Sequence, residues 1–526
     1  MFESIACPAR YALLCTIAIF SCLPGCMNTR TGTPNVPAEE NTEAVGCHNC
    51  LDNQDCVDDT CICSEGFNDC DGILINGCET AGECPCTYGE QRPCYYGPPG
   101  TEGIGACTGG IETCNGNDWG ICEGQTLPIY ELCEPDGIDQ DCDGINDEIE
   151  DMDGDGFTMC DGDCCDDTMQ HCAENPALVN PGAYDVAGNE LDDDCDGIID
   201  NEPATDCSES MVLDVATSTD LIQAMDLCQF TDGDPVKWGV ISSTTSTISG
   251  TGSPLAIQTS VLEGFSSGTL PSRKNNTLTV LSSGDARGVE DPGYTEDISD
   301  GVYAEQTGPS AYLEAHNNEL VTAEGCAVPN ATFYDTVRVS ATIRVPTNAF
   351  GLQFEFRFFS YEYPQFICTE FNDFFLALLT SEHSEIPEDK NISFDAAGNP
   401  VSVNNAFFTT CEPMNCGNPG EVYEAYYGEQ DPDGCPGTLT CNEETDLCES
   451  LLGACPDGPE DLLTFSPRTD NSGATSWLST SAPVVPGEEI TLEFLIWDTG
   501  DSSMDSLVLI DNFQWLLGPT ELATKN

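Results

Sequence analysis

Three observations predict a mainly β protein in which a disulfide-rich, metal-binding-repeat stalk precedes a jelly-roll-like β-sandwich. The first is the crowding of cysteine among Gly, Asp and Asn between Cys47 and Cys207. That stretch is too poor in apolar runs to build an ordinary core, so it depends on crosslinks and ions. The second is a set of β-branched and aromatic runs from about Met211 onward, separated by Gly, Pro, Asn and Asp turns. The third is the pattern D-x-D-x-D-G, or a close variant, three times between residues 139 and 200.

The chain opens "MFESIACPARYALLCTIAIFSCLPGCMNTR". Arg10 is a thin positive n-region, Tyr11 to Pro24 is a short apolar run, and the small Gly25 stands before Cys26. The run is too short for a comfortable transmembrane helix, and no later segment has the length or apolarity to span a bilayer. The string "LPGC" resembles a bacterial lipobox, which implies that residues 1–25 are removed and that Cys26 carries lipid. Pro24 departs from the usual small residue there, and an ordinary secretory signal is the alternative. Cysteine counting agrees with export. Of 34 cysteines, three would leave with the signal and one would take lipid, so an even number remains for disulfides. Zinc is the competing use of pairs such as Cys47 with Cys50, or Cys84 with Cys86, but they lack histidine partners.

Charge narrows the partners. The chain has 93 Asp+Glu against 13 Lys+Arg, a formal charge of -80. Nucleic acid is therefore excluded as a natural partner, because the phosphate backbone selects the opposite sign. Acidity alone also fits a surface adapted to a salty exterior, so only the spacing of the acids can distinguish a metal binder.

Residues 26–46, polar and without apolar periodicity, read as a disordered tether. Residues 47–130 form cysteine-rich modules, and residues 131–207 hold the acidic loops. Calcium takes six to eight oxygens, supplied in EF-hand-type loops from positions 1, 3, 5, 7, 9 and 12 with glycine at 6. "DQDCDGINDEIE" meets that frame with Asp139, Asp141, Asp143, Gly144, the Ile145 carbonyl, Asp147 and Glu150. "DDDCDGIIDNE" offers Asp192, Asp194, Asp196, Gly197, the Ile198 carbonyl and Asp200, with Pro203 at the twelfth position and Glu202 beside it. "DMDGDGFTMCDGD" offers Asp151, Asp153, Asp155 and Gly156, and Gly162 at the twelfth position leaves closure to Asp161 or Asp163. Calcium is the expected ion. The alternative is that all three are solvated acidic turns.

Residues 208–526 read as the β-sandwich, with a cysteine-rich insertion at about 411–455. "GLQFEFRFFS" sets Leu352, Phe354, Phe356 and Phe358 on one face and Gln353, Glu355 and Arg357 on the other. "DTVRVSATIRV", "DFFLALL", "ITLEFLIW" and "SLVLIDNF" are further strands, and "STDLIQAMDLC" is the one good short helix. Glu362, Glu370, Asn372 and Asp373 could line a cation site, as could Asp498, Asp501, Asp505 and Asp511, with strand-capping turn residues as the alternative. No H-E-x-x-H or P-loop occurs, one G-x-S-x-G match stands at Gly264 to Gly268 around Ser266, and no catalytic residue is assigned.

"CEPDGIDQDCDGINDE" and "NELDDDCDGIIDNE" resemble the MopE-like metal-binding repeat of secreted bacterial proteins. The first copy matches at Cys133, Asp139, Asp141, Cys142, Asp143, Gly144, Asp147 and Glu148, and the second lacks the leading cysteine. The family name carries a copper association, but copper favours thiolate, thioether and imidazole, and these loops offer aspartate oxygen. "CVDDTCICSEGFNDCDGILINGCE" is loosely EGF-like. "WGVISS", "LSSGDAR", "FFSYEYPQFICTEFNDFFLALL" and "IWDTGDSSMDSLVLIDNFQW", within about residues 211–517, are similar to the choice-of-anchor L domain of bacterial surface proteins. Together these resemblances imply a non-enzymatic, lipid-anchored protein of the outer membrane or cell surface, or a secreted one. Its sandwich would be an adhesion or binding module for a glycan or a surface protein. A secreted carbohydrate-active hydrolase and a copper-capture surface protein are the alternatives.

Overall fold

The computed structural model describes residues 50–58, 60–70, 77–78, 80–116, 118–133, 135–146, 150–166, 172–200, 216–295, 308–329, 331–364, 366–404, 407–411, 416, 435, 440–449, 458–467, 472–500, 502 and 504–526. The chain divides into two compact units, residues 1–130 with 137–146, and residues 131–136 with 147–526.

The first unit is built of short antiparallel hairpins. They are β1 (Gln54–Val57) with β2 (Thr60–Cys63), β3 (Phe67–Asn68) with β4 (Thr80–Ala81), and β5 (Gln91–Cys94) with β6 (Gly110–Thr113). Two-stranded ribbons this short are not stable alone in water. Crosslinks hold them: Cys50–Cys61, Cys63–Cys78, Cys70–Cys84, Cys86–Cys114, Cys94–Cys122 and Cys107–Cys142. The interior consists largely of the cystines themselves, with Cys70, Cys78, Cys86, Cys107, Cys114 and Cys122 buried while Tyr96 and Ile121 lie exposed. Every cysteine among the described residues is disulfide-bonded. Cys84 and Cys86, the pair open to zinc on sequence grounds, are taken by Cys70 and Cys114 and offer no thiolate.

In the second unit, two antiparallel sheets face each other. The five-stranded sheet has β7 (Gly239–Ser246), β10 (Phe333–Arg344), β12 (Phe374–Thr380), β13 (Val401–Ser402) and β19 (Glu489–Thr499), in the order β13-β12-β19-β10-β7. The other contains β8 (Thr259–Leu262), β9 (Leu278–Ser282), β11 (Gly351–Ser360), β14 (Phe408–Cys411), β17 (Gly473–Thr475), β18 (Leu478–Pro483), β20 (Ser506–Leu516) and β21 (Ala523–Lys525). Its main path is β14-β17-β11-β20-β9-β8, and β18 pairs with β11 and β21. The hairpin of β15 (Thr440–Asn442) and β16 (Leu447–Glu449) is what is described of the cysteine-rich insertion, with Cys416–Cys441 and Cys435–Cys448. This architecture is the mainly β, disulfide-rich sandwich expected from the sequence.

Alternation builds the interior. Leu352, Phe354, Phe356 and Phe358 of β11 meet Phe375, Ala377 and Leu379 of β12 and Ile490, Leu492, Phe494 and Ile496 of β19 in one core between the sheets. Rings interlock there, with Phe354 edge-on to Phe494 at 5.0 Å. The opposite face of β11 is covered as well, which alternation alone did not anticipate. Phe359 packs with Phe265, Leu278 and Phe465, and Arg357 is 4 % exposed, its guanidinium donating to the Thr475 carbonyl and paired with Asp461. The expected short helix is α1 (Ser218–Ala224), opened by a capping box of Thr217 and Asp220 and burying Leu221, Ile222 and Ala224. A further helical turn is α3 (Ser310–Ala315), and the short segment α2 (Phe265–Gly268) is a turn in which Ser266 and Ser267 take left-handed backbone angles.

The acidic segment of this unit is not detached from the sandwich. The Tyr184 amide donates to Asn348 Oδ1 (2.8 Å), Asn348 Nδ2 donates back to the Tyr184 carbonyl (2.8 Å), and the Thr347 amide donates to the Gly182 carbonyl (3.0 Å). Residues 182–184 are thereby fixed to the turn between β10 and β11.

Candidate metal centres

One hydrogen-bond frame is repeated in all three acidic loops. The first aspartate binds the amide of the residue five further on with one oxygen: Asp139 from Gly144 (3.0 Å), Asp151 from Gly156 (2.9 Å), Asp192 from Gly197 (3.0 Å). Its other oxygen accepts from Cys142, Gly154 or Asp196. The third-position aspartates, Asp141, Asp153 and Asp194, accept from the fifth-position amides, and the fifth-position aspartates, Asp143, Asp155 and Asp196, from those of Ile145, Phe157 and Ile198. Such aspartates impose a turn on their own backbone. Gly144, Gly156 and Gly197 all take positive φ (105°, 98° and 91°), which an L side chain rarely adopts. The fourth position is left-handed too, filled by Cys142, Gly154 and Cys195.

Beyond this frame the loops differ. In the loop from Asp151, single carboxylate oxygens of Asp151, Asp153 and Asp155 lie within 4.8 Å of one another, and so do those of Asp153, Asp163 and Asp166. Asp163 and Asp166 are buried, and Asp153 Oδ2 and Asp163 Oδ2 are buried without a hydrogen-bond partner. Burial, then the neighbouring Asp155 charge, pushes Asp153 up to about 6, and burial likewise takes Asp163 to about 6. Asp166 also ties the loop together by accepting the Met152 amide (2.7 Å) and the Met159 amide (3.1 Å). Of the two closing residues considered, Asp163 joins the cluster, whereas Asp161 caps the turn at Thr158. Asp166 was not singled out from the sequence, since its place in "DGDCCDD" lies beyond the twelve-residue frame.

In the loop from Asp192, burial raises Asp194 to about 6, with Asp196, Asp185 and Asp192 adding like charge. Asp200 is turned back, its Oδ1 accepting from Gly188 (2.8 Å) and Glu190 (3.0 Å). Glu202 and Pro203 lie outside the described residues. In the first loop, Asp139, Asp141, Asp143 and Ile145 belong to the first unit and Glu150 to the second. Asp147 lies outside the described residues, as do Cys26 and Glu148. The Ile145 and Ile198 side chains are exposed. These loops are the residues that could hold divalent cations, through carboxylate and carbonyl oxygen.

A separate feature of the sandwich is a cavity of about 140 Å³ lined by Tyr184, Trp238, Phe513 and Trp515 with Asp226 and Gln514. Trp238 lies 5.5 Å from Tyr184 and edge-on to Trp515 at 6.4 Å. Sequence reasoning missed it, because these aromatics come from three distant segments.

A disulfide-rich chain with acidic loops and a two-sheet sandwich defines the class of protein. The family model for the choice-of-anchor L domain matches residues 265–514, from α2 to within β20. The match begins later than the limit near residue 211 expected from motifs. It suggests a surface-associated protein, and that domain family is not an enzyme family. No curated protein and no solved structure matches the chain significantly. No helix among the described residues is long and apolar enough to cross a membrane.

Proposed function

We propose that the protein is a non-enzymatic cell-surface lipoprotein, anchored through Cys26, whose disulfide-rich acidic region is stabilised by calcium and presents the β-sandwich as a binding module. The observation that supports it most is the shared frame of the three acidic loops, in which each aspartate spends oxygen on the backbone and keeps lone pairs for an ion. Oxygen-only donors suit calcium and not copper. Drawing Asp153, Asp155, Asp163 and Asp166 together without a cation places like charges side by side, so ion binding relieves repulsion that the metal-free loop must bear.

Isothermal titration of the full chain tests this. Calcium should bind, Asp153→Ala should weaken one class of sites by about tenfold or more, and Asp118→Ala, an exposed charge outside the loops, should change nothing. Absence of heat at millimolar calcium, or equal losses in both variants, would reduce the loops to solvated turns.

The aromatic cavity favours a sugar as the ligand of the sandwich, since ring faces stack on aromatic walls while Asp226 and Gln514 supply polar contacts. Glycan-array binding that survives Trp515→Ala would exclude that cavity.

A further inference from the structure

Two carboxylates stand inside the sandwich where its apolar rows end. On β19, Ile490, Leu492, Phe494 and Ile496 face the other sheet, and the next residue in that row is Asp498. On β12 the row Phe375, Ala377, Leu379 continues backward to Asp373. Phe374 pairs with Trp497, so the antiparallel register sets Asp373 opposite Asp498 on the inward face. Asp373 is 0 % and Asp498 1 % exposed.

Their surroundings are unequal. Asp373 accepts from the Thr499 amide (3.2 Å) and from the Ser506 hydroxyl of the opposite sheet (2.6 Å). Neither oxygen of Asp498 has a hydrogen-bond partner. The Ser283 hydroxyl and the Asp373 carboxyl both lie within hydrogen-bonding reach of it, but Ser283 donates to the Ser506 carbonyl (3.3 Å) and a second carboxylate brings no proton of its own when both are ionised. The charges acting most strongly on the pair are Glu362, Asp505 and Asp335, all acids. Glu362, 3 % exposed, accepts the Asp373 amide with Oε2 (3.2 Å). Asp505 reaches the site because residue 284 is glycine: a Cβ there would overlap its carboxylate. An ionised Asp498 so placed, buried and unpaired among acids, is strongly disfavoured, and burial accordingly drives both carboxyls well above the usual range.

The geometry points to a buried divalent-cation site between the two sheets, ligated by Asp373 and Asp498 with Glu362 and Asp505 at its edge, and filled by a hard, oxygen-seeking ion such as calcium. The bare Asp498 oxygens are its central ligands. Such an ion links β12 and β19 of one sheet to the paired strands β9 and β20 of the other, because Ser506 and Ser283 are already bonded into the cluster. The two groups of acids set apart by the sequence, around Glu362 and around Asp498, thus form one site. Glu370 stays exposed, Asp511 lies elsewhere with Asp226, and Asp501 is outside the described residues.

The competing arrangement is a metal-free pair in which Asp373 and Asp498 share a proton. A full-length background carrying Asp143→Ala, Asp153→Ala and Asp194→Ala disables the surface loops and separates this site from them. Equilibrium dialysis against calcium, followed by elemental mass spectrometry, should leave about one ion per chain in that background, with a calcium-dependent rise in the thermal midpoint. Asp498→Asn should abolish both. Should that variant fail to fold, Asp505→Asn is read in its place. A background protein without bound calcium and without the thermal shift overturns the site in favour of the shared proton, as does an Asp498→Asn protein that keeps both.

Discussion

Asp226 and Asp511 face each other beside the aromatic cavity, two carboxyls where the fold has room for one charge. Asp511 accepts the Arg273 amide (2.6 Å) and the Asn512 amide (2.6 Å), Asp226 accepts from Asn275 and has Lys274 nearby, and the two carboxyls lie within hydrogen-bonding reach of each other. Burial, reinforced by the charge of Asp226, raises Asp511 to about 8. The folded state then keeps a proton that the unfolded chain releases near pH 4. Its stabilising effect is complete below that value and is lost as pH rises towards about 8. Asp226→Asn supplies an amide donor in place of the shared proton, so the variant should show a flatter fall in thermal midpoint between pH 5 and 8 than the parent. Identical slopes would show that the pair does not share a proton. The loop carboxyls carry the same sign on a smaller scale. Asp153, Asp163 and Asp194, raised to about 6, ionise at a cost as pH climbs to that value, a cost that the proposed calcium would remove.

At the scale of elements, strands and loops owe their shapes to different local signals. The alternation in "GLQFEFRFFS" was sufficient to predict β11 and which of its residues face the core. It was blind to the cover over Phe359, which comes from residues 265–270 and 462–465, and to the partners of Arg357, which are Thr475 and Asp461. The acidic loops were legible to their sixth residue, since each aspartate bonds to amides only two to five residues away. Their closure was not legible, because it depends on how the chain returns after the turn. One crosslink bears on this directly: Cys164, next to Asp163, is joined to Cys195 at the fourth position of the following loop. Replacing both by serine should cost about 2–4 kcal/mol in chemical denaturation and should lower calcium affinity at both loops together. An unchanged affinity would mean that each loop holds its shape through its own hydrogen bonds.

For the whole molecule, charge and crosslinking set the setting in which it works. A chain of net charge -80 with every described cysteine oxidised suits an oxidising exterior where cations are abundant. Anchoring is the part of this picture open to direct labelling: a palmitate analogue should mark the parent, and Cys26→Ser should release the protein into the medium. An unlabelled, freely secreted parent would end the lipoprotein proposal. Reliance on disulfides, the β class and the first half of each acidic loop could all be read from the sequence, because each is written in composition or in contacts a few residues apart. Only the tertiary structure joined Glu362 and Asp373 to Asp498 and Asp505, covered the second face of β11, and tied residues 182–184 to the turn at Thr347 and Asn348. Those arrangements depend on strand register and on the pairing of segments far apart in the chain, and a period of two says which face a residue takes but not which distant residue it meets there.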